Sequence, residues 1–198
     1  MLEGREDDAA ASLIQPYLRG LGLAEIFDRL FYETMNLIGE LWYSGDLTIA
    51  QEHLATHTAM SALRALRRDL DAPYEAALTA ICCSVEDDFH ELPVYLAQII
   101  FESEACRVVN LGANTPFFAL EEAINQHQPG IACISSIVLF HRDRSVHEYK
   151  GFHRMAGQLG IALVLGGRGF TADENARSRF PADLYAESFG QLQEFLST

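Results

Sequence analysis

Apolar side chains recur at helical spacing through the N-terminal part of the chain. Over residues 23–42 they return every three or four positions, which is typical of a helix with a wide buried face. The segment 44–46 breaks this pattern, and a further helix is expected over about residues 47–70. At the break, Gly45 can adopt a left-handed C-cap conformation and Asp46 can cap the next helix. The pattern therefore predicts two helices joined by a tight turn.

A shorter helix and a linker complete this part of the chain. The helix is expected over about residues 9–19, where Pro16 weakens it or marks its start. Residues 71–73, with the sequence Asp-Ala-Pro, are predicted to link two domains. We therefore expect a helical bundle over residues 1–72 and a second domain over residues 73–198.

The second domain shows short apolar runs that alternate with helical segments. Near-continuous apolar runs are typical of parallel strands that are covered on both faces. Strands are expected over residues 76–85, 107–111, 131–135, 161–165 and, more weakly, 183–186. Helices are expected between and after them over residues 92–104, 116–126, 146–159 and 189–196. This alternation predicts a Rossmann-like, flavodoxin-like α/β domain with a parallel five-stranded sheet and right-handed crossovers.

Ligands of such sheets bind outside the carboxyl ends of the strands. The loop after the first predicted strand contains His90 and three acidic residues, Glu86, Asp87 and Asp88. Asp88 lies two residues before His90, so its carboxylate can accept the imidazole N–H. This contact fixes the tautomer and raises the basicity of the other ring nitrogen, as in many metal-bound histidines. The alternative is a solvated acidic loop in which the histidine is incidental.

Two further loops at the same edge can contact a ligand. Residues 166–169 read Gly-Gly-Arg-Gly, and glycines let a ligand approach the backbone closely. The third predicted strand ends in Ser135 and Ser136, whose hydroxyls can bond a polar ligand tail. A glycine-rich turn that only reverses the chain remains the alternative.

The helical bundle carries a third group of polar residues. Trp42 is followed after nine residues by Glu52 and His53, so the turn between the helices would bring them near one another. Trp42 can instead be a core anchor. His53 and His57 lie four residues apart, a spacing that can chelate a metal but that more often reflects a shared exposed face.

Composition excludes several classes of function. A formal net charge of −14 would repel a phosphate backbone, so direct nucleic-acid binding is not expected. No apolar run is long enough to span a bilayer and no stretch resembles a signal peptide, so a soluble, cytoplasmic protein without membrane partners is expected. Because Gly-x-Ser-x-Gly, Walker and His-Glu-x-x-His signatures are absent, we expect no enzyme and no catalytic residue.

The four cysteines are not spaced as a zinc site, and buried reduced thiols are expected: Cys82, Cys83, Cys106 and Cys133.

Taken together, these groups resemble the cobalamin-binding module of the B12-dependent photoreceptor regulators. That family includes MerR-type light regulators and stand-alone cobalamin-binding antirepressors. Trp42, Glu52 and His53 match its Trp-x9-Glu-His signature, and the Asp88-x-His90 pair is similar to the Asp-x-His loop of B12-binding Rossmann-like domains. The other similarities are Ser135 and Gly166-Gly167 at the family's Ser and Gly-Gly positions, and residues 108–116, which resemble its second strand and the turn that follows.

The resemblance implies a cobalamin cofactor, in its adenosyl, methyl or hydroxo form. It implies that His90 is the lower axial ligand of cobalt and that Trp42, Glu52 and His53 line the upper side. The other cofactor-binding positions that it implies are Asp88, Phe89, Leu92, Ser135, Ile137, Gly166, Gly167 and Arg168.

The resemblance also implies a role for the chain. It points to a sensory regulator, light-responsive and acting through a protein partner such as a transcription factor, with a homo-oligomer left open. The alternatives are a corrinoid methyl-carrier protein of a methyltransferase system and a degenerate B12-fold interaction module. Pro93 replaces the family's glycine after the histidine loop, and Tyr43 replaces a histidine found in some light-sensing members.

Overall fold

The computed structural model describes residues 1–70, 78–139, 142–171 and 174–197. The chain divides into two compact units. The helical unit comprises Met1–Asp71 with Ser188–Gly190, and the sheet unit comprises Ala72–Glu187 with Gln191–Thr198. The predicted linker at 71–73 lies outside the described residues. Within the described part, no helix is long and apolar enough to cross a membrane.

The helical unit is built from the helices that the apolar spacing predicts. They are α1 (Glu6–Leu18), α2 (Leu23–Ile26), a π-helical segment (Phe27–Phe31), α3 (Tyr32–Ser44) and α4 (Ile49–Asp69). From α2 to α3 the chain is helical without a break, as predicted for residues 23–42, but one stretch widens to π geometry. Pro16 lies inside α1 near its C-terminal end, so the expectation that it marks the start of this helix is wrong.

The turn between α3 and α4 confirms one predicted cap and corrects the other. Gly45 has φ +87° and is the left-handed C-cap of α3. The N-cap of α4 is Thr48 rather than Asp46. Thr48 Oγ1 accepts a hydrogen bond from the Gln51 N–H at 3.3 Å, and Gln51 Oε1 accepts from the Thr48 N–H at 2.9 Å. This reciprocal pair satisfies two helix-end donors, whereas Asp46 accepts a hydrogen bond from Ser44 Oγ at 2.7 Å.

The sheet unit confirms the predicted doubly wound architecture. Its strands are β1 (Leu78–Val85), β2 (Cys106–Thr115), β3 (Ile131–Ser135), β4 (Ala162–Gly166) and β5 (Leu184–Ala186). All pairings are parallel, in the order β2-β1-β3-β4-β5. The helices are α5 (Glu91–Ser103), α6 (Phe117–His127), α7 (Arg142–Leu159), α8 (Arg168–Thr171), α9 (Glu174–Arg179) and α10 (Phe189–Leu196).

Two local features of the sheet unit differ from the sequence prediction. Strand β2 continues to Thr115 instead of ending near residue 111, because shifts in its register with β1 accommodate the left-handed residues Gly112 and Asn114. Of the predicted loop 166–169, only Gly167 connects two elements, since Gly166 ends β4 and Arg168 begins the short helix α8. Neither α8 nor α9 is long enough to show a helical apolar period.

The core of the sheet unit positions the candidate site. Alternate residues of β1, β3 and β4 pack on an aromatic group that comprises Phe117, Tyr149, Phe152, Phe170 and Phe180. All four cysteines are buried and free, as predicted. The strand order reverses between β1 and β3, which is where open parallel sheets bind ligands. Register pairs Ser84 with Ser135 and Ser135 with Gly166, so the loops after the central strands are neighbours.

Candidate functional site

The loop after β1 is held in one conformation by backbone hydrogen bonds. The carbonyl oxygen of Asp88 accepts from Ser84 Oγ at 2.7 Å and from the Asn114 N–H at 2.8 Å. The Asp87 N–H donates to Asn114 Oδ1 at 2.8 Å, and both of these residues are left-handed, with φ values of +66° and +55°. Asp and Asn are the non-glycine residues that tolerate this region best. Ser84 and Asn114 therefore shape the site, although sequence analysis did not select them.

Asp88 joins the loops after β1 and β3. Its Oδ1 atom accepts from the His90 backbone N–H at 2.9 Å and contacts His90 Nδ1 at 2.7 Å. Its Oδ2 atom accepts from the Ile137 N–H at 2.6 Å. The Asp88 side chain is fully buried, whereas the His90 side chain is 55% exposed. The predicted Asp88–His90 contact is thus present, and Ile137, another predicted site residue, belongs to the same network.

The surroundings of Asp88 keep its carboxyl group ionised. Burial alone would raise the pKa of Asp88, but hydrogen bonds from the His90 ring and from the backbone N–H groups of His90 and Ile137 outweigh it and lower the pKa below its usual value. An ionised carboxylate can only accept, so Nδ1 of His90 carries the proton and Nε2 carries the lone pair. This tautomer is the one that a metal-binding imidazole needs.

Helix α5 begins directly after this histidine. His90 is its N-cap residue, and Pro93 lies in its first turn, where the helix requires no backbone N–H donor. The replacement of the family's glycine by Pro93 is therefore compatible with the helix. Phe89 is 73% exposed beside His90, and Leu92, the second residue of α5, is half-buried. The predicted positions 88–92 thus present one imidazole and one exposed ring at the carboxyl edge of the sheet.

The glycines at the end of β4 and just after it differ in what they contact. A Cβ at Gly167, where φ is +87°, would lie 2.3 Å from the Ser136 carbonyl oxygen, and a Cβ at Gly169 would lie 2.4 Å from Ser136 Oγ. The protein's own packing therefore requires glycine at both positions. A Cβ at Gly166 would meet only the Ala186 carbonyl oxygen at 3.7 Å, an ordinary contact. The position beside Gly166 is thus open, whereas glycine at 167 is required by packing on Ser136, and the contact of Gly167 with a ligand stays a prediction.

A serine hydroxyl lies unsatisfied beside these glycines. Ser136 is fully buried, and within the part of the chain that the structure describes its Oγ has no hydrogen-bond partner. Its backbone is fixed, because the Ser136 N–H donates to the Gly166 carbonyl at 2.9 Å and its own carbonyl accepts from Gly169 at 2.8 Å. Ser135, predicted to bind the ligand, is 9% exposed, and Arg168 is exposed. An orphaned buried hydroxyl is typical of a place where a polar ligand or water binds.

The bundle residues of the predicted site lie on consecutive helices. Trp42 near the end of α3 is 47% exposed, so it is not a buried core anchor, and Tyr43 is 91% exposed. Glu52 lies in the first turn of α4 and His53 follows it, with His53 Nε2 3.7 Å from Glu52 Oε2. Thr56 Oγ1 donates to Glu52 Oε1 at 2.8 Å. Among the described residues no group of three His, Cys, Asp or Glu side chains could hold a metal, so the pair of histidines on α4 lacks a third ligand.

Comparison with known proteins relates the chain to cobalamin-binding proteins. A family model described as B12 binding domain matches residues 1–67. The HTH-type transcriptional repressor CarA of Myxococcus xanthus is 30% identical over 149 residues, which are 74% of this chain and 49% of CarA. Its relative CarH is 25% identical over 127 residues, or 64% of this chain and 42% of CarH. The chain thus spans less than half the length of these curated relatives.

A solved structure shares the fold at lower identity. The monomethylamine corrinoid protein of Methanosarcina barkeri has a TM-score of 0.74 and 14% identity, covering 96% of this chain and 93% of that chain. At this identity the likeness shows the fold alone.

The donor set of the site fits a cobalamin. An imidazole with Nε2 as its lone-pair nitrogen is a suitable ligand for cobalt, the orphaned hydroxyl of Ser136 suits a polar tail, and Gly166 leaves room beside the strand end. These residues lie on adjacent loops at the switch point of the sheet. The helical unit, whose residues 1–67 match the B12 binding domain model, and the five-stranded parallel sheet have a B12-binding fold like that of corrinoid proteins, and the chain is distantly similar to the CarA and CarH repressors.

Proposed function

We propose that this chain is a cobalamin-dependent regulator that responds to light and acts through a protein partner. The observation that carries the proposal is the Asp88–His90 pair, in which a buried carboxylate holds a half-exposed imidazole at the ligand-binding edge of the sheet. In this proposal His90 is the lower axial ligand of cobalt, and the chain performs no catalysis of its own.

Each residue of the edge has a defined task in this proposal. Asp88 keeps the proton on Nδ1 of His90 and thereby presents the Nε2 lone pair. Gly166 leaves space beside β4, and the Ser136 hydroxyl offers a hydrogen bond that no described side chain uses. The roles of Trp42, Glu52 and His53 toward the upper side come from the resemblance to photoreceptor regulators. The chemistry that an alkylcobalamin supplies when bound is a cobalt–carbon bond that visible light breaks.

Sequence similarity favours a regulator over a methyl carrier. The chain is 30% identical to the repressor CarA but 14% identical to the corrinoid protein whose fold it shares. It also keeps the Trp-x9-Glu-His signature at Trp42, Glu52 and His53. The net charge of −14 disfavours direct contact with DNA, so a partner protein is the proposed target.

Visible absorption spectra of the protein with adenosylcobalamin in darkness test the lower ligand. The wild type is expected to shift the cofactor spectrum from its free form, and His90→Ala is expected to abolish this shift. His127→Ala is the matched control, because His127 ends α6 shortly before β3 begins and therefore lies at the opposite, amino edge of the sheet. A spectrum that His90→Ala leaves unchanged would remove His90 from the cobalt.

Illumination then separates the regulator from its alternatives. In a light-responsive regulator, green light changes the spectrum together with the hydrodynamic radius or partner binding. A protein that ignores light but passes a methyl group to a thiol is a carrier. A chain that binds no corrinoid is an interaction module, and either result contradicts the proposal.

A further inference from the structure

Strand β2 is irregular where it passes the candidate site. Its register with β1 shifts twice within residues 82–85 of β1. Gly112 and Asn114 lie in this stretch of β2, with left-handed φ values of +77° and +55°. Bulges of this kind bend a strand, re-aim its side chains and are frequent beside active sites. The bulge of β2, which spans residues 110–115, therefore directs Asn114 to the loop after β1, where its side chain accepts from the Asp87 N–H.

Three polar side chains form a set of hydrogen bonds that ends on this bulge. Glu102 Oε1 accepts from Gln98 Nε2 at 2.8 Å, and Gln98 Oε1 accepts from Asn110 Nδ2 at 2.7 Å. Asn110 Oδ1 in turn accepts from the Gly112 N–H at 2.7 Å. Because Glu102 and Gln98 lie on α5 and Asn110 lies on β2, these three side chains are a polar triad that joins the helix to the bulge.

The direction of each hydrogen bond in the polar triad is set at Glu102. A carboxylate can only accept, so Gln98 turns its amide nitrogen toward Glu102 and its oxygen toward Asn110. Asn110 must then donate to Gln98 and present its own oxygen to Gly112. Gln98 is 6% exposed, so a broken link would leave a buried polar group without its partner, which is costly. The triad therefore holds the Gly112 N–H, and with it the bulge, in one arrangement.

Hydrogen bonds continue from the bulge to the histidine loop. Two residues after Gly112, the side chain of Asn114 accepts from the Asp87 N–H at 2.8 Å. The backbone N–H of Asn114 donates to the Asp88 carbonyl oxygen at 2.8 Å. Asp88 Oδ1 in turn contacts His90 Nδ1 at 2.7 Å. The path from the polar triad to the imidazole thus consists of hydrogen bonds joined by short pieces of backbone.

We propose that Asn110 is a positioning residue for His90, on which it acts through the bulge of β2 and Asn114. Without the Asn110 oxygen, the Gly112 N–H loses this acceptor and β2 can relax toward a regular register. A slip of one residue turns the following side chains to the opposite face of the sheet, which would take Asn114 away from the loop. For its purpose the inference rests on the proposed function, since a histidine that binds cobalt needs one fixed ring orientation.

Nitrogen NMR of the cofactor-free protein with ¹⁵N-labelled histidine rings tests this role, in buffer alkaline enough to keep the rings neutral. The wild-type His90 ring is expected to give the two well-separated signals of a fixed tautomer with the proton on Nδ1. Asn110→Leu keeps the size of the side chain but makes neither hydrogen bond, so both signals should move toward the averaged values of a freely exchanging histidine. Asn110→Asp keeps an acceptor for the Gly112 N–H and should restore the wild-type signals. The ring signals of His127, at the other edge of the sheet, should not move.

Two further variants separate positioning from general stability. Ile124 is fully buried on α6 and belongs to neither the polar triad nor the bulge, so Ile124→Val should lower the midpoint of urea unfolding and leave the His90 signals unchanged. Gln98→Met removes the partner that orients Asn110 and should move the His90 signals as Asn110→Leu does, by a smaller amount. Gln98→Met decides the question if Asn110→Leu does not fold. Unchanged His90 signals in the folded variants of the triad, or an equal shift in Ile124→Val, would overturn the inference.

The absorption spectrum with saturating adenosylcobalamin in darkness is the second readout. Asn110→Leu should lose part of the spectral shift that depends on His90, and Asn110→Asp should retain it. A wild-type spectrum that does not depend on His90 would contradict the proposed function, while the NMR signals of the cofactor-free protein still decide the role of Asn110. A full spectral shift in Asn110→Leu, together with wild-type NMR signals, would contradict the positioning role and leave the proposed function standing.

Discussion

Replacing Asp88 by asparagine removes the charge that organises the site while keeping its shape. The asparagine carbonyl can still accept from His90, but its amide nitrogen then faces the Ile137 N–H, which donates to Oδ2 at 2.6 Å in the wild type. One charge-assisted hydrogen bond is lost and a buried donor is left without an acceptor. Hydrogen bonds to charged groups contribute about 1.5–3 kcal/mol, so the free energy of unfolding should fall by about that amount.

The same substitution should also weaken cobalamin binding. A neutral amide holds the Nδ1 proton of His90 less firmly than an ionised carboxylate does, and outer partners of metal ligands are worth about 10–100-fold in affinity. Urea unfolding measures the stability change, and titration of the cofactor spectrum measures the affinity change.

Asp87→Asn is the matched control for Asp88→Asn. It makes the same change of charge one residue away, at a left-handed position with φ +66° that asparagine adopts readily. The control should leave both quantities nearly unchanged. Equal stability and equal cofactor affinity in Asp88→Asn and wild type would show that the carboxylate neither anchors the loop nor supports the histidine.

Four other substitutions test separate parts of the structure. Gly167→Ala should destabilise the fold by about 1–3 kcal/mol because its Cβ would meet the Ser136 carbonyl at 2.3 Å. Gly166→Ala should leave the free energy of unfolding nearly unchanged and weaken cobalamin binding. A larger loss of stability in Gly166→Ala than in Gly167→Ala would contradict the assigned roles. Ser136→Ala removes an orphaned hydroxyl, so it should cost no stability without cofactor and should lower cofactor affinity, and a large loss of stability would disprove the missing partner. Thr48→Ala should lower the free energy of unfolding by about 1 kcal/mol through loss of the α4 cap, measured against Asp46→Ala as control.

The order of helices and strands could be predicted from the spacing of apolar residues, because each main strand shows a continuous apolar run in the sequence. The apolar runs of β1, β3 and β4 are buried on both faces, so each is visible in the sequence as a strand. Helices α8 and α9 have four and six residues, too few for a periodic signal. The N-cap of α4 shows a similar limit, since Asp46 and Thr48 are both good N-cap residues and only the reciprocal bonds with Gln51 select Thr48.

The site was predictable where its residues are neighbours in sequence and less so where they are not. The Asp88–His90 contact spans two residues and could be inferred from spacing alone. The bond from Ile137 to Asp88 spans 49 residues and became visible only when β1 and β3 were placed side by side. Gly166 and Gly167 look equivalent in the sequence, yet only the backbone of the Ser136 loop distinguishes a packing glycine from an open one.

Electron paramagnetic resonance of the reduced, Co(II) form of bound cobalamin tests the cobalt–His90 bond most directly. The protein is prepared twice, with ordinary histidine and with histidine labelled with ¹⁵N in the ring. If His90 is the axial ligand, each cobalt line is split into a triplet by ¹⁴N and into a doublet by ¹⁵N. A triplet that persists in the labelled protein would show that the cofactor's own base stays on cobalt, and it would contradict the account.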